Sequence, residues 1–143
     1  MSKFLFDTNV CIYYLEGNQT VTEFMRKTLR DPRNSLVLSV ITEAELFSSP
    51  SVYGNPELNN AISRFIHDSD DVVEVTRRIG ANAGEIRSYF HQAFGRKIKL
   101  PDALIAATAV SLNATLISNN DKDFVEVLAR YQIPYFNPIK ESL

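Results

Sequence analysis

Along the chain, short apolar runs alternate with longer stretches in which apolar residues recur every three to four positions. Lys3 to Phe6 (KFLF) reads as a strand, and a helical pattern follows from about Thr8 to Glu16, where Gly17 and Asn18 end it. A second helix is predicted from Thr20 to Arg30, up to the Asp31-Pro32 stop. Leu36 to Ile41 (LVLSVI) is rich in β-branched residues, holds no turn residue and reads as a strand. Thr42 then opens a short helix that Ser48 to Pro50 ends, and SSPSVYGNP is the clearest loop in the chain. Helical pattern resumes from Glu57 to His67, with Leu58, Ile62, Phe65 and Ile66 on one side. Val72 to Val75 predicts a third strand, Thr76 to Ala93 a long helix, and Leu100-Pro101 the start of another that runs to about Leu112. Thr115 to Ile117 is a fourth strand, Asp121 to Arg130 a last helix, and Pro134 to Phe136 a short edge strand.

Strands separated by helices of this length need crossover connections, which lay the strands parallel and cover both faces of the sheet. The predicted fold is α/β: a three-layer α/β/α sandwich around a mostly parallel sheet of four to five strands, forming one domain over residues 1–143. The stretch Asp102 to Leu112 (DALIAATAVSL) is apolar nearly all round, so this helix belongs inside.

Composition narrows the chemistry. The 143 residues are 45% hydrophobic and 22% charged, enough apolar material for a core without staples. The single cysteine, Cys11, excludes a disulfide framework and a cysteine-based zinc site, and points to a reducing cytoplasmic setting. Two histidines, His67 and His91, cannot build a His-rich metal cage. No apolar run approaches the ~18 residues that span a bilayer, and Phe4 to Leu15 is interrupted by Asp7 and Asn9 with no small-residue cleavage site after it. The chain has no GxSxG elbow, no GxxxxGK[ST] loop and no GxGxxG fingerprint.

The net charge of −2 is unevenly spread. Between Thr76 and Leu100, the six bases Arg77, Arg78, Arg87, Arg96, Lys97 and Lys99 face one acid, Glu85, a local +5. The remainder holds nine bases against sixteen acids, or −7. One basic stretch on an acidic body suits a site that attracts a polyanion while holding cations, although a solvated helix face has the same composition.

Ligands in open parallel sheets sit outside the carboxyl ends of the strands, so the residues that follow each strand carry the information. Asp7 follows the first strand (FLFDTN), and Glu43 and Glu45 follow the second (SVITEAEL). Asp102 opens the buried helix (KLPDALIAA), and Asn119, Asn120, Asp121 and Asp123 follow the fourth strand (TLISNNDKDF). Each has a local alternative. Asp7 could cap a helix, Thr42 and Glu45 match a capping box, and Asp102 suits a first turn. Asn120 or Asp121 could cap the last helix. Together they are harder to explain as caps. Two like charges ~4 Å apart repel by about 4 kcal/mol at an effective dielectric near 20, and the cheapest remedy is a hard divalent cation such as Mg²⁺ or Mn²⁺. Such an acidic site beside a basic stretch suits phosphodiester hydrolysis.

FLFDTN, SVITEAEL, LPDALIAATA and LISNNDKDF, in this order and spacing, resemble the PIN domain family, in particular the VapC-type toxins of bacterial and archaeal toxin–antitoxin pairs. The resemblance implies a Mg²⁺- or Mn²⁺-dependent ribonuclease. Asp7 and Asp102 match the family's first and third acids, Glu45 the second, and Asp123 the acid of the terminal motif. Asp7, Asp102, Asp123 and Glu45 are then the expected metal-binding and catalytic set. Asn120 matches a polar position, Asp121 is an extra acid able to substitute, Thr8 and Asn9 fit the polar pair after the first acid, and Ser118 stands where threonine is commoner. The resemblance also implies an RNA substrate (tRNA or another structured RNA), a cognate antitoxin that inserts a segment into the groove, and a homodimer. A haloacid-dehalogenase phosphatase also opens with a strand and Asp, but it needs a second acid where this chain has Asn9. A PIN-like fold that binds RNA or protein without cutting, and a PIN nuclease of RNA processing without an antitoxin, remain as alternatives.

Overall fold

The structure, a computed structural model, describes residues 2–141, with Glu141 represented by its backbone. Its elements are β1 (Ser2–Phe6), α1 (Thr8–Leu15), α2 (Gln19–Arg30), β2 (Asn34–Ser39), α3 (Val40–Phe47), α4 (Pro56–Asp68) and β3 (Asp71–Val73). They continue as α5 (Arg77–Phe94), α6 (Leu100–Leu112), β4 (Thr115–Ile117), α7 (Asp121–Arg130), β5 (Tyr135–Phe136) and α8 (Pro138–Glu141). The five strands pair in parallel, as the alternating pattern implies, and the structure sets their order as β3-β2-β1-β4-β5. Because β1 lies between β2 and β4, the strand order reverses at β1, the place where open parallel sheets form a ligand crevice at their carboxyl ends.

The two faces of the sheet bury separate clusters. Leu5, Val37 and Leu116 pack under α5, α6 and α7, beside Ile79, Phe90, Ile105 and Phe124. The next residues along the strands, Phe6, Leu38 and Ile117, point the other way, onto α1 to α4, with Val10, Met25, Leu46 and Ile62. This alternation follows from the two-residue period of a strand and makes three layers. Each such side chain contributes roughly 1.5–3 kcal/mol of burial. As expected from its composition, α6 is enclosed: Ala103, Ile105, Ala106, Ala107, Thr108 and Ala109 are all buried. It stops at Asn113, which adopts a left-handed φ of 50°, and only Asn113 and Ala114 separate it from β4. Gly95 ends α5 with φ 67°, a conformation that costs glycine nothing.

Some boundaries differ from the expectations. The strand read as Leu36 to Ile41 ends at Ser39, because the Ser39 hydroxyl accepts from Ile41 N at 3.0 Å and starts α3 two residues early. A cap overrides the β-branched run of Val40 and Ile41. Thr42 is therefore inside α3 rather than its cap, and the Thr42–Glu45 capping box does not form. The third strand ends at Val73 instead of Val75, and Thr76 caps α5 through Ile79 N. Helix α8 lay outside the sequence pattern. Among the described residues, no helix is long and apolar enough to cross a membrane.

Candidate active site

The crevice at the strand reversal is where the predicted acids meet. Asp7 is the first residue after β1 and caps α1, its Oδ1 accepting from Thr8 N at 2.8 Å. Its Oδ2 accepts from Ser118 Oγ at 2.8 Å, and Ser118 follows β4, the strand beside β1. The Asp7 carboxyl is 4% exposed, and burial is the main reason its pKa rises from 3.8 to about 6. The Ser118 and Thr8 hydrogen bonds pull the other way, and the charges of Asp102 and Glu45 add to the rise.

Glu45 reaches the same place from α3. Thr8 Oγ1 donates to Glu45 Oε1 at 2.6 Å, and the Thr42 hydroxyl lies 3.1 Å from that of Thr8. Thr42 and Glu45 are three residues apart on one helical face, so the failed capping box becomes a link between α3 and α1. Glu43, the other acid after β2, is half-buried, and Glu45 is the more exposed of the two.

Asp102 stands in the first turn of α6, half-buried, with its pKa raised by burial and then by the charges of Asp123 and Glu45, against the lowering effect of Lys99. Asp123 lies in the first turn of α7, and its Oδ2 accepts from Asn120 Nδ2 at 3.1 Å. Asp7 thus interacts with Asp102 and Glu45, and Asp102 with Asp123 and Glu45, which makes the four acids one electrostatic group. Among the described residues, no three His, Cys, Asp or Glu side chains are gathered closely enough to grip an ion as they stand.

The remaining polar residues divide clearly. Asn9 Oδ1 accepts from Asn119 N at 3.2 Å, and Ser118 Oγ accepts from Asn120 N at 3.1 Å. Asn120 occupies the cap position of α7 without a side-chain cap bond, because its amide is directed to Asp123. Asp121 does not join the four acids. Its Oδ1 accepts from Tyr135 OH at 2.6 Å and Asn137 Nδ2 at 3.0 Å, and its Oδ2 from Lys140 Nζ at 3.3 Å. These partners, Tyr135 first, hold its carboxyl below the usual range.

The basic stretch is only partly at the site. Lys99 is close enough to act on Asp102, and Arg96 donates to Lys122 O at 3.1 Å, against the first turn of α7, with its guanidinium 5.0 Å from the Phe90 ring centre. Arg87 donates to Ile98 O at 3.0 Å and, with Lys97 and His91, lines an open cavity of about 330 Å³. Arg77 and Arg78 are exposed at the start of α5, and no contact ties them to the acids. His67 and His91 are exposed and Cys11 is buried.

Thr42, Tyr135 and Asn137 escaped the sequence reading as site residues, and Asn119 was marked only by its place after the fourth strand. Asn137-Pro138 is a turn signal that marks Asn137 as a side chain able to bond nearby backbone. It does so, accepting from Ile139 N and Lys140 N.

The model of the PIN domain family matches residues 4–128. Ribonuclease VapC1 of Haemophilus influenzae strain R2866 is 30% identical over 125 residues, 87% of this chain and 91% of that protein. The tRNA(fMet)-specific endonuclease VapC of Shigella flexneri is 26% identical over 127 residues, 89% and 93% of the two chains. The 2.2 Å structure of VapBC-1 from nontypeable Haemophilus influenzae superposes with a TM-score of 0.77 at 27% identity, covering 96% of this chain and 98% of that one. The sheet order, the acids at its reversal and these likenesses agree: the chain belongs to the PIN domain family, among the VapC ribonucleases.

Proposed function

We propose that the protein is a divalent-metal-dependent endoribonuclease, the toxin of a toxin–antitoxin pair, acting on structured RNA in the cytoplasm. The observation that carries this reading is the coupling of Asp7, Glu45, Asp102 and Asp123, delivered by four separate segments to one crevice. An all-carboxylate, all-oxygen donor set fits a hard cation, Mg²⁺ or Mn²⁺, better than any softer metal. The pKa values of Asp7 and Asp102 are raised first by burial and then by the charges of neighbouring acids, and a bound cation would offset both. Bound there, a divalent ion would lower the pKa of a water and offset charge on the phosphate oxygens.

The chain's own groups divide the work. Asp7, locked between Thr8 N and Ser118 Oγ, is the rigid carboxylate, and Asp102 and Asp123 complete the cation-binding set. Glu45, the most exposed of the four acids, orients the attacking water and takes up its proton, steadied by Thr8. Attack in line at phosphorus then expels the leaving oxygen. Lys99, Arg96, Lys97 and Arg87 offer contacts to RNA phosphates, which give affinity without reading sequence; Arg77 and Arg78 would meet RNA farther along α5. Exposed Ile12, Phe47, Phe94 and Leu100 offer apolar surface to an antitoxin or a second copy of the chain.

The test incubates pure protein with total RNA and a tRNA panel in Mn²⁺, Mg²⁺ or EDTA, beside Asp7→Asn and Asp102→Asn. Cleavage is expected with metal and wild-type protein only. Cleavage that survives EDTA, or both substitutions, overturns the mechanism.

A further inference from the structure

Resting on the reading that Asp7, Asp102 and Asp123 bind a divalent cation, we propose that Asn137 and Tyr135 are positioning residues that clamp the β4–α7 loop and thereby set the geometry of two of those acids, Asp7 and Asp123. The loop is where the site is most heavily scaffolded. Ser118 holds Asp7 and Asn120 holds Asp123, so the placement of residues 118–120 fixes one carboxylate from each end of the chain. These residues are gripped in turn from the C-terminal side. Asn137 is 5% exposed, and both faces of its amide are used. Its Nδ2 donates to Asn119 Oδ1 at 2.8 Å and to Asp121 Oδ1 at 3.0 Å, while its Oδ1 accepts from Ile139 N at 3.1 Å and Lys140 N at 3.2 Å.

Tyr135 closes the other side, its hydroxyl donating to Asp121 Oδ1 at 2.6 Å with Ser118 O 3.2 Å away. The backbone adds Ser118 N donating to Phe136 O at 3.1 Å, which extends the β4–β5 ladder to the residue that bonds Asp7. From α1, Asn9 takes Asn119 N. The loop is therefore pinned between the first helix and residues 135–140, and the latter lie beyond residue 128, where the family match ends. Neither Tyr135 nor Asn137 contacts any of the four acids; both act through the loop. Asp121 is the anchor they hold, which explains why an acid beside the site takes no part in it.

A carboxylate site for a small cation tolerates misplacement of only about 0.5 Å, and removing the partners of metal ligands typically weakens binding 10- to 100-fold. Mn²⁺ is titrated calorimetrically into the metal-free wild type, Asn137→Ala and Tyr135→Phe, well below each melting midpoint. Phe65→Leu, in the core on the opposite face of the sheet, controls for lost stability. Asn137→Ala is expected to bind Mn²⁺ about 10-fold more weakly or worse, and Tyr135→Phe to move the same way. RNA cleavage by both should recover at higher Mn²⁺ with KM for RNA unchanged, a rescue that a purely structural defect would not show. Should Asn137→Ala fail to fold, Tyr135→Phe, which loses one oxygen, decides the matter alone. Wild-type Mn²⁺ affinity in the variants, or an equal loss in Phe65→Leu, overturns the clamp. Wild-type protein that binds Mn²⁺ but cuts no RNA overturns the endoribonuclease reading instead, leaving the clamp to be decided by the titrations.

Discussion

Replacing Asp7 with asparagine is expected to abolish metal-dependent cleavage and to make the metal-free protein more stable. The carboxyl is almost wholly buried, and its pKa stands at about 6 against an ordinary 3.8. At 1.36 kcal/mol per pH unit, keeping it ionised in the folded state at pH 7 costs about 3 kcal/mol. Asparagine removes the charge but puts an amide donor where one of the two carboxylate oxygens accepted a hydrogen bond, which returns roughly 1 kcal/mol of that gain. A net stabilisation of about 2 kcal/mol is expected, or a Tm higher by about 4–8 °C for a chain of this size.

The pH dependence has a definite sign. A carboxyl whose folded pKa is raised favours folding below the unfolded pKa, and that advantage is lost as pH climbs through the folded one. The stability gap between Asp7→Asn and wild type should therefore be widest above pH 6 and close by about pH 4. Mn²⁺ at about 100 times its Kd should add about 2.7 kcal/mol to the wild type and much less to the variant, erasing the gap. Thermal melts in EDTA and in Mn²⁺, across pH 4 to 8, measure all of this. An Asp7→Asn chain no more stable than wild type in EDTA at pH 7 refutes the reasoning, as does a gap that persists unchanged at pH 4.

Ser118→Ala takes one bond from Asp7 and one from Asn120 N at a fully buried position, so a loss of about 1–3 kcal/mol in urea unfolding is expected, with weakened cleavage; a neutral result would mean that Asp7 is held by Thr8 alone. Reversing Arg96 and Lys97 to glutamate should lower RNA affinity and flatten its dependence on salt, read from binding isotherms at several ionic strengths. An unchanged slope would mark that stretch as a solvated surface.

The layers, the parallel sheet and the four acids that act on one another were all named from the sequence, most directly where a local signal marks them. A strand that ends in Asp7, an apolar helix that opens with Asp102 and a two-residue period in FLF all write themselves into neighbouring positions. What escaped was set by partners far along the chain. Ser39 rather than Thr42 starts α3, and Thr42 is buried against Thr8, 34 residues away. Asp121 and Asp123 look interchangeable in SNNDKDF, yet one turn of helix aims the first at Tyr135 and Asn137 and leaves the second to Asn120. The basic residues show the same limit: a +5 stretch says nothing about which cations lie near the acids, and only Lys99 and Arg96 have contacts that do.

The hydrogen bond from Ser118 to Asp7 joins residues 111 positions apart, and β1, which leads into Asp7, takes its neighbours from β2 and β4. Such remote pairings form late and together, since the entropy of closing a long loop must be met before any contact rewards it. A chain in which these pairings have not formed thus lacks both the β1–β4 ladder and the assembled acid cluster. Nuclease capacity should emerge in one step, at the end of folding, so partly folded copies are harmless to the RNA around them.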